Sequence, residues 1–406
     1  MFKRIIFLYF ILFISANANI LQDTIDSAPT GAILKLPSTT YVGNIVIDKP
    51  VTLIGKEGTT IEGLGSGNVI TIKSSHVKLK HLKIIKSGNR LDALDSAVFI
   101  KKATQIEIAN CIIADTLFGI FMDNVNDSVI KNNKISSINQ SIGHRGDGLR
   151  LWFSHNNIIK NNIFTKSRDV VFMRSNANRV INNYMEDCRY AVFAQYTKDN
   201  IIKNNEIKRS AVGVFLEGSK DTIVSNNLVQ GQLGVASSLG ILLKGASNVH
   251  VKKNIIGQCN QALYIDTSPM IIDTKNWIIE NKIMYSTRGL NFRGKSFENI
   301  IKKNELFGNM DNIMSDSYIG KTNKNEIIGN YWDDYEGFDL NKDNIGDSSY
   351  KKYIYLDQLW IKNPELRFFY GSPIISMLNF MLKLAPFMEP IFLVEDKKPI
   401  YNVSYM

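Results

Sequence analysis

A right-handed parallel β-helix is the fold this sequence predicts, with coils of about 22 residues, an N-terminal cap and an irregular C-terminal tail. Three observations carry that expectation. First, the pattern aliphatic-x-Asn-Asn-x-aliphatic recurs, its second Asn falling at Asn133, Asn162, Asn183, Asn205, Asn227, Asn254, Asn281, Asn304 and Asn330. Second, β-branched or bulky apolar residues flank this marker in short alternating runs. Ile130, Ile159, Val180 and Ile202 stand three residues before it, and Ile135, Phe164, Met185 and Ile207 two after. Such runs are strands. Third, no helical period spans a repeat, and the Leu-x-x-Leu-x-Leu pattern of leucine-rich repeats is absent.

An Asn between two short strands has a physical use. It tolerates the left-handed conformation that turns a corner, and its amide bonds the nearby backbone. Stacked turn over turn, such amides also bond one another as a ladder. The near-identical stretches "VIKNNKI", "IIKNNIF" and "IIKNNEI" therefore describe one corner rebuilt on every coil, with coils about 4.8 Å apart.

Taken in order, the chain divides into 1–18, 19–332, 333–373 and 374–406. Lys3 and Arg4, an apolar run from Ile5 to Ile14, and the small residues Ala16 and Ala18 read as a secretory signal peptide. "LQDTIDSA", from Leu21 to Ala28, reads as a short amphipathic helix closing the first coil. Two weakly patterned coils follow, around "GNIVIDKPVTLIG" and "SHVKLKHLKII", and Leu82 and Cys111 fill the marker slot in the earliest copies.

A further strand precedes each marker. Its inward pairs are Ile120/Met122, Leu149/Leu151, Val170/Phe172, Val192/Ala194, Val214/Leu216 and Ile241/Leu243. The residue between each pair must point outward: Phe121, Arg150, Val171, Phe193, Phe215 and Leu242. Five of these six are apolar, where a solvated face would be polar. A column of that kind, about 25 Å long by strand spacing, implies a partner or a covering segment of the same chain. Trp152 stands beside it as the natural anchor.

"GHRGDGLRLWFSHN", residues 143–156, is the least repeat-like insertion and carries His144, Asp147, Arg150, Trp152 and His155. Asp147 and Asp169 fall one coil and one register apart, so about 5–7 Å, a separation that suits glycoside chemistry. Arg168 shares the Asp147 slot on the next coil and would instead form a salt bridge. In "YWDDYEGFDLNKDNIGD", residues 331–347, Asp339, Asn341 and Asp343 alternate and Asp347 follows. Alternating oxygen ligands are what Ca²⁺ needs, although Asn344 occupies the EF-hand glycine position and the closing Glu is missing. The other reading is an acidic, hydrogen-bonded cap. "IISMLNFMLKLAPFMEPIFLV", residues 374–394, approaches the length of a membrane span, but Lys383, Pro386, Glu389 and Pro390 interrupt it. It suits lying on a membrane, docking on a membrane protein, or folding back over the apolar column.

The chain has 406 residues, 44% of them hydrophobic, and a formal net charge of +10. That charge is spread thinly rather than in runs, so no nucleic-acid partner is expected. Three cysteines, Cys111, Cys188 and Cys259, cannot all pair, and no CxxC spacing exists. Cys188 and Cys259 share one slot three coils apart, roughly 14 Å, beyond the reach of about 7 Å for a disulfide. Free thiols are expected. His76 with His81, Met310 with Met314, and the lone His250 show no metal-ligand spacing.

"GDGLRLW" at 146–152, "NYWDDYEGFDLNKDNIGD" at 330–347 and "FFYGSP" at 368–373 resemble the NosD family, periplasmic β-helix proteins of nitrous-oxide reductase maturation. The resemblance spans nearly all of the chain after residue 18. It implies a periplasmic, membrane-associated protein that works with an ABC transporter, both permease and ATPase. It also implies support for the copper sites of nitrous-oxide reductase, with copper received or passed on with a lipoprotein chaperone. The matching residues are Asp147, Arg150 and Trp152 in the first passage, and Trp332, Asp333, Asp334, Asp339, Asn341, Asp343 and Asp347 in the second. Asn344 stands where a Gly is usual in the family. The functional expectation is a non-enzymatic maturation factor. The alternative is a polysaccharide lyase, epimerase or hydrolase on the same fold, centred on Asp147.

Overall fold

The computed structural model describes residues 20–231, 238–315, 325–354, 369, 372–384 and 391–403. The predicted signal peptide lies outside them. The chain forms two compact units, residues 1–232 and 233–406.

In the first unit, short parallel strands stack into three faces. The first face begins at Ile33–Leu36 and continues through Val129–Lys131, Ile158–Lys160 and Arg179–Ile181 to Ile223–Ser225. The second includes Lys134–Ser137, Ile163–Thr165 and Tyr184–Glu186, and the third Phe118–Asn126, Leu149–Trp152, Asp169–Met173, Tyr190–Gln195 and Val212–Glu217. This is a parallel β-helix, and its register keeps like residues in column. Ile130, Ile159, Val180 and Ile202 stack on the first face, and Ile135, Phe164, Met185 and Ile207 on the second. All are buried. Each such side chain contributes about 1.5–3 kcal/mol by leaving water, so a three-residue strand with one inward residue suffices when repeated on every coil.

The Asn-Asn corner divides its work between the two residues. Asn132, Asn161, Asn182 and Asn204 carry the left-handed backbone, with φ of 55–56°. The following residue, the sequence marker, points its amide inward, so the turning and laddering expected of one residue belong to neighbours. Lys253, Glu280 and Lys303 occupy the turning position in the second unit, which shows that the slot needs tolerance of positive φ rather than an amide. The buried slot does need the amide. Asn162 Nδ2 donates to Ile130 O at 2.9 Å and to Asn183 Oδ1 at 3.0 Å, while its Oδ1 accepts from Asn133 N and Nδ2, both at 3.0 Å.

A second ladder, absent from the sequence reading, runs five residues before the first. Asn157, Asn178 and Asn200 repeat these bonds in the first unit, and Asn276, Asn299 and Asn325 in the second.

The expected N-terminal cap is a helix over residues 20–27. Leu21 and Ile25, four apart on one face, are buried over the first coil. Gln22 pairs with the backbone of Val46, accepting its N–H at 2.9 Å and donating to its carbonyl at 3.0 Å, which occupies polar groups of an exposed edge. Lys49 Nζ donates to Asp26 O at 2.6 Å, satisfying a carbonyl at the helix C-terminus.

The second unit repeats the three faces, with strands such as Leu239–Lys244, Gln261–Asp266 and Arg288–Arg293 on the third. It ends in an antiparallel pair, Tyr350–Ile354 with Ile391–Asp396. Here the structure goes beyond the sequence reading. Part of the apolar tail belongs to the body, because Leu393, Val394 and Asp396 are buried.

Candidate functional site

The third face of the first unit carries the outward column. Phe99, Phe121, Arg150, Val171, Phe193 and Phe215 are aligned on successive coils. Leu242 is placed in the second unit, in register with Tyr264. The alignment expected from the sequence is present, but an open apolar stripe is not. Phe121, Val171, Phe215 and Leu242 are buried, whereas Phe193 is half-buried. Stacking contributes to this burial in the first unit. Phe193 lies on Phe215 with centroids 4.8 Å apart, and Tyr190 meets both rings edge-on at 5.4 and 5.6 Å. Solvent therefore meets the edge of the column, and above all Trp152, which is 37% exposed.

Beside the column lies a buried ion network. Asp147 and Asp169 are withdrawn from solvent. Arg168 Nε donates to Asp147 Oδ1 at 3.0 Å and sits 3.8 Å from Asp169 Oδ2. Arg189 holds Asp169 with two donors, Nε at 3.0 Å and Nη2, and Tyr190 N–H adds a third bond at 3.0 Å. The Arg189 guanidinium also lies 4.5 Å over the Tyr190 ring. Arg150 Nη1 approaches Asp147 Oδ2 at 3.4 Å. Burial pushes the Asp147 carboxyl above its ordinary range, against the pull of Arg150 and Arg168. The Asp169 contact holds Arg189 above its usual value. The Arg168 salt bridge, rather than a free pair of carboxylates, is the arrangement the structure adopts.

The acidic passage of the second unit is an anchoring device. Asp333 and Asp334 accept from Asn312 Nδ2 at 2.7 and 2.8 Å. Tyr350 and Lys352 bond the other Asp334 oxygen at 3.2 and 3.0 Å. Burial raises the Asp334 pKa, but Lys352 and the three hydrogen bonds outweigh it and hold the carboxyl below its ordinary range. Trp332 stacks on Tyr350 at 4.4 Å. Tyr335 donates its hydroxyl to Ser348 O at 2.6 Å, and a Cβ on Gly337 or Gly346 would lie 2.1 or 2.2 Å from that ring or its hydroxyl.

The calcium expectation at 339–347 does not find its geometry. Asp339 accepts from the N–H groups of Asp343 and Asn344, Asp343 from that of Ile345, and Asp347 from that of Leu340, while Asn341 bonds Asp343. These oxygens close turns of their own loop instead of converging on one point.

Asp396 ends the main ladder. It is fully buried and stands where the next coil's Asn would. Asn330 N and Nδ2 donate to its Oδ2 at 2.9 and 3.0 Å, and Trp332 Nε1 at 3.1 Å. Gly329 N donates to Oδ1 at 2.9 Å. An acceptor-only side chain fits the last rung. Between the two antiparallel strands lies a helix, Pro373–Leu384. Ser372 Oγ accepts from Ile375 N–H at 3.4 Å, and Pro373 opens the first turn. Ile374, Met377, Phe380, Met381 and Leu384 face solvent, Ile374 at 72% exposed and Leu384 at 71%, whereas Leu382 is buried. No described helix is long and apolar enough to cross a membrane.

Among the described residues, the histidines and cysteines do not fit the copper that the resemblance implies. The three cysteines are separate, buried thiols; burial pushes Cys111 and Cys188 up to about 11, which disfavours the thiolate a metal needs. His76 and His81 are exposed at left-handed corners. His144 bonds Ser141, His155 Nδ1 accepts from Asn176 N–H, and His250 stacks on Trp277. Among the described residues no three His, Cys, Asp or Glu side chains are grouped to hold a metal.

Comparison with known proteins supports the family resemblance. Residues 136–337 match the family model described as "Periplasmic copper-binding protein (NosD)". The chain is 26% identical over 389 residues to the "Probable ABC transporter binding protein NosD" of Stutzerimonas stutzeri, covering 91% of this chain and 86% of that one. It is 26% identical over 363 residues to its namesake from Pseudomonas aeruginosa, covering 85% and 83%. Among solved structures it is similar to the A-module of an Azotobacter vinelandii mannuronan C-5 epimerase, with TM-score 0.52 at 14% identity over 73% of this chain and 92% of that one. It is similar too to a mannuronic acid-specific polysaccharide lyase from human gut microbiota, with TM-score 0.53 at 13% identity over 79% and 84%. At such identity these two share the fold alone. From the matched region and the two full-length relatives, the chain belongs to the NosD family of periplasmic copper-binding proteins.

Proposed function

We propose that this protein is a non-enzymatic accessory factor for assembly of the copper sites of nitrous-oxide reductase. It acts as a rigid scaffold alongside a membrane ABC transporter, and copper reaches it with the help of a lipoprotein chaperone. The observation that carries the docking part is the helix Pro373–Leu384. A twelve-residue helix that presents Ile374, Met377, Phe380 and Leu384 to water has the character of an interface. The strand Ile391–Asp396 ties it to the body through Asp396. The relatives' printed name, an ABC transporter binding protein, supports a transporter permease as the surface it meets.

The non-enzymatic reading is supported by Arg168, which engages both carboxylates of the Asp147 and Asp169 pair. Copper handling is read as completed at an interface, since the described histidines and cysteines stand apart. The test replaces Ile374, Met377, Phe380 and Leu384 with Ser and keeps residues 391–403 intact. Truncating the tail would remove the Asp396 rung and confuse docking with folding. Co-purification of the permease should fall at least about tenfold, the effect of losing roughly 1.4 kcal/mol of contact. Unchanged co-purification refutes the docking role. Titration of the isolated chain with copper should give no tight one-to-one complex, and finding one overturns the interface reading.

A further inference from the structure

Within the buried network alone the charges do not cancel. Asp147 and Asp169 carry two negative charges and Arg150, Arg168 and Arg189 three positive ones, so the sum is +1. Arg189 is committed to Asp169 by two donors, and Arg168 to Asp147 at 3.0 Å. Arg150 is the cation left over. Its closest carboxylate oxygen is 3.4 Å away, and its Nη2 donates at 3.5 Å to the thioether of Met173, a weak acceptor. The Arg150 side chain is 21% exposed, and its guanidinium faces a thioether and a carboxylate oxygen at 3.4 Å rather than a close oxygen partner, which leaves it able to take a further acceptor.

That guanidinium opens into a cleft of about 490 Å³. Phe99 and Phe121, with ring centroids 5.3 Å apart, form one wall, and Leu94 and the exposed Trp152 flank it. Asn68 lines the cleft as well; its Oδ1 accepts from Ser96 N–H at 2.9 Å, which leaves its amide donors for a ligand. Asp123 also lines the cleft, in register with Trp152 and bonded to Asn124 Nδ2 at 2.6 Å. A site with mostly apolar walls, one surplus cation and one acidic residue recognises a particular chemistry. We infer that this cleft binds a monocarboxylate carried on a compact apolar or aromatic body, with the carboxylate on Arg150 and the body against Phe99, Phe121 and Trp152. Asp123 selects against a second negative charge. The same chemistry is presented by a free organic acid and by the C-terminus of a polypeptide ending in an apolar residue. The inference does not depend on the docking role of the tail.

The test is titration of the full chain with benzoate, read by tryptophan fluorescence and by ligand-observed NMR. Saturable binding is expected, with benzamide and phthalate each at least about tenfold weaker, the range for losing a charge-assisted bond or adding like-charge repulsion. Arg150→Gln should weaken benzoate by about 10–100-fold. Asp123→Asn should tighten it several-fold, a gain that a misfolded variant would not show. N-acetylphenylalanine binding more tightly than benzoate points to a polypeptide terminus, and the reverse order to a free acid. Benzamide matching benzoate, Arg150→Gln retaining affinity, or no saturation by benzoate and N-acetylphenylalanine alike overturns the assignment.

Discussion

Asn183→Ala isolates the ladder from the turn it accompanies. The Asn183 amide is buried and accepts from Asn162 N at 2.9 Å and Asn162 Nδ2 at 3.0 Å. It donates to Ile159 O at 2.9 Å, Ile181 O at 3.2 Å and Asn205 Oδ1 at 3.0 Å. Losing the four shortest bonds at about 1 kcal/mol each costs roughly 4 kcal/mol. The Asn162 N–H is then stranded in the interior, a penalty of about 1–3 kcal/mol by itself, while part of the loss is recovered by relaxation. The expected destabilisation is about 3–6 kcal/mol. Asn182→Ala next door supplies the contrast. Asn182 is exposed at φ 56°, so Ala there costs only the left-handed backbone, about 1–2 kcal/mol, and Asn182→Gly should be close to neutral. Guanidinium unfolding followed by circular dichroism measures all three variants. Hydrogen exchange should place the lost protection at the Asn162, Asn183 and Asn205 corners. Equal costs at 182 and 183, or less than about 1 kcal/mol at 183, would refute the division of labour.

The remaining expectations concern single groups. Cys111 and Cys188, buried with pKa near 11, should resist maleimide in the native chain at pH 7.5 and react fully in denaturant; rapid native labelling of either contradicts their placement. His250 has its pKa lowered first by burial and then by Lys252. The unfolded chain therefore binds the proton more tightly, and the His250 contribution to stability, intact above about pH 6.5, is lost as pH falls through the folded value. NMR titration should find His250 below 6.5 and closer to it in Trp277→Ala, where the stacked ring 4.3 Å away is gone; a native value at or above 6.5 sinks this. Gly346→Ala should loosen the loop 335–348 by forcing Tyr335 aside, seen as faster exchange of the loop amides, whereas unchanged exchange would show that the ring moves without consequence.

Much of the solenoid was legible in the chain because each coil solves the same problem. Inward aliphatics, outward alternates and the buried Asn recur at fixed offsets, and the Arg168 slot was readable by counting. The second ladder escaped because Asn157, Asn178 and Asn200 keep less uniform neighbours than the twin-Asn corner, although their spacing from the markers is constant. The burial of the outward column was not readable from alternation, which gives direction but not what packs alongside. Asp396 could not be read at all: its partner Asn330 lies 66 residues away, and no periodicity connects the two. The cleft at Arg150 needed both the charge sum and the position of Leu94 beside Phe99 and Phe121, features that repeat counting ignores.

The carboxylate at the end of the amide ladder has one more effect. Asn133, Asn162, Asn183 and Asn205 in the first unit and Asn254, Asn281 and Asn304 in the second each hand an N–H onward, so a stack cut at one of these rungs would offer its donors to whatever came next. Asp396 accepts on both oxygens. The ladder of the second unit thus closes on a carboxylate held by the N–H groups of Gly329, Asn330 and Trp332, and presents no open row of amide donors.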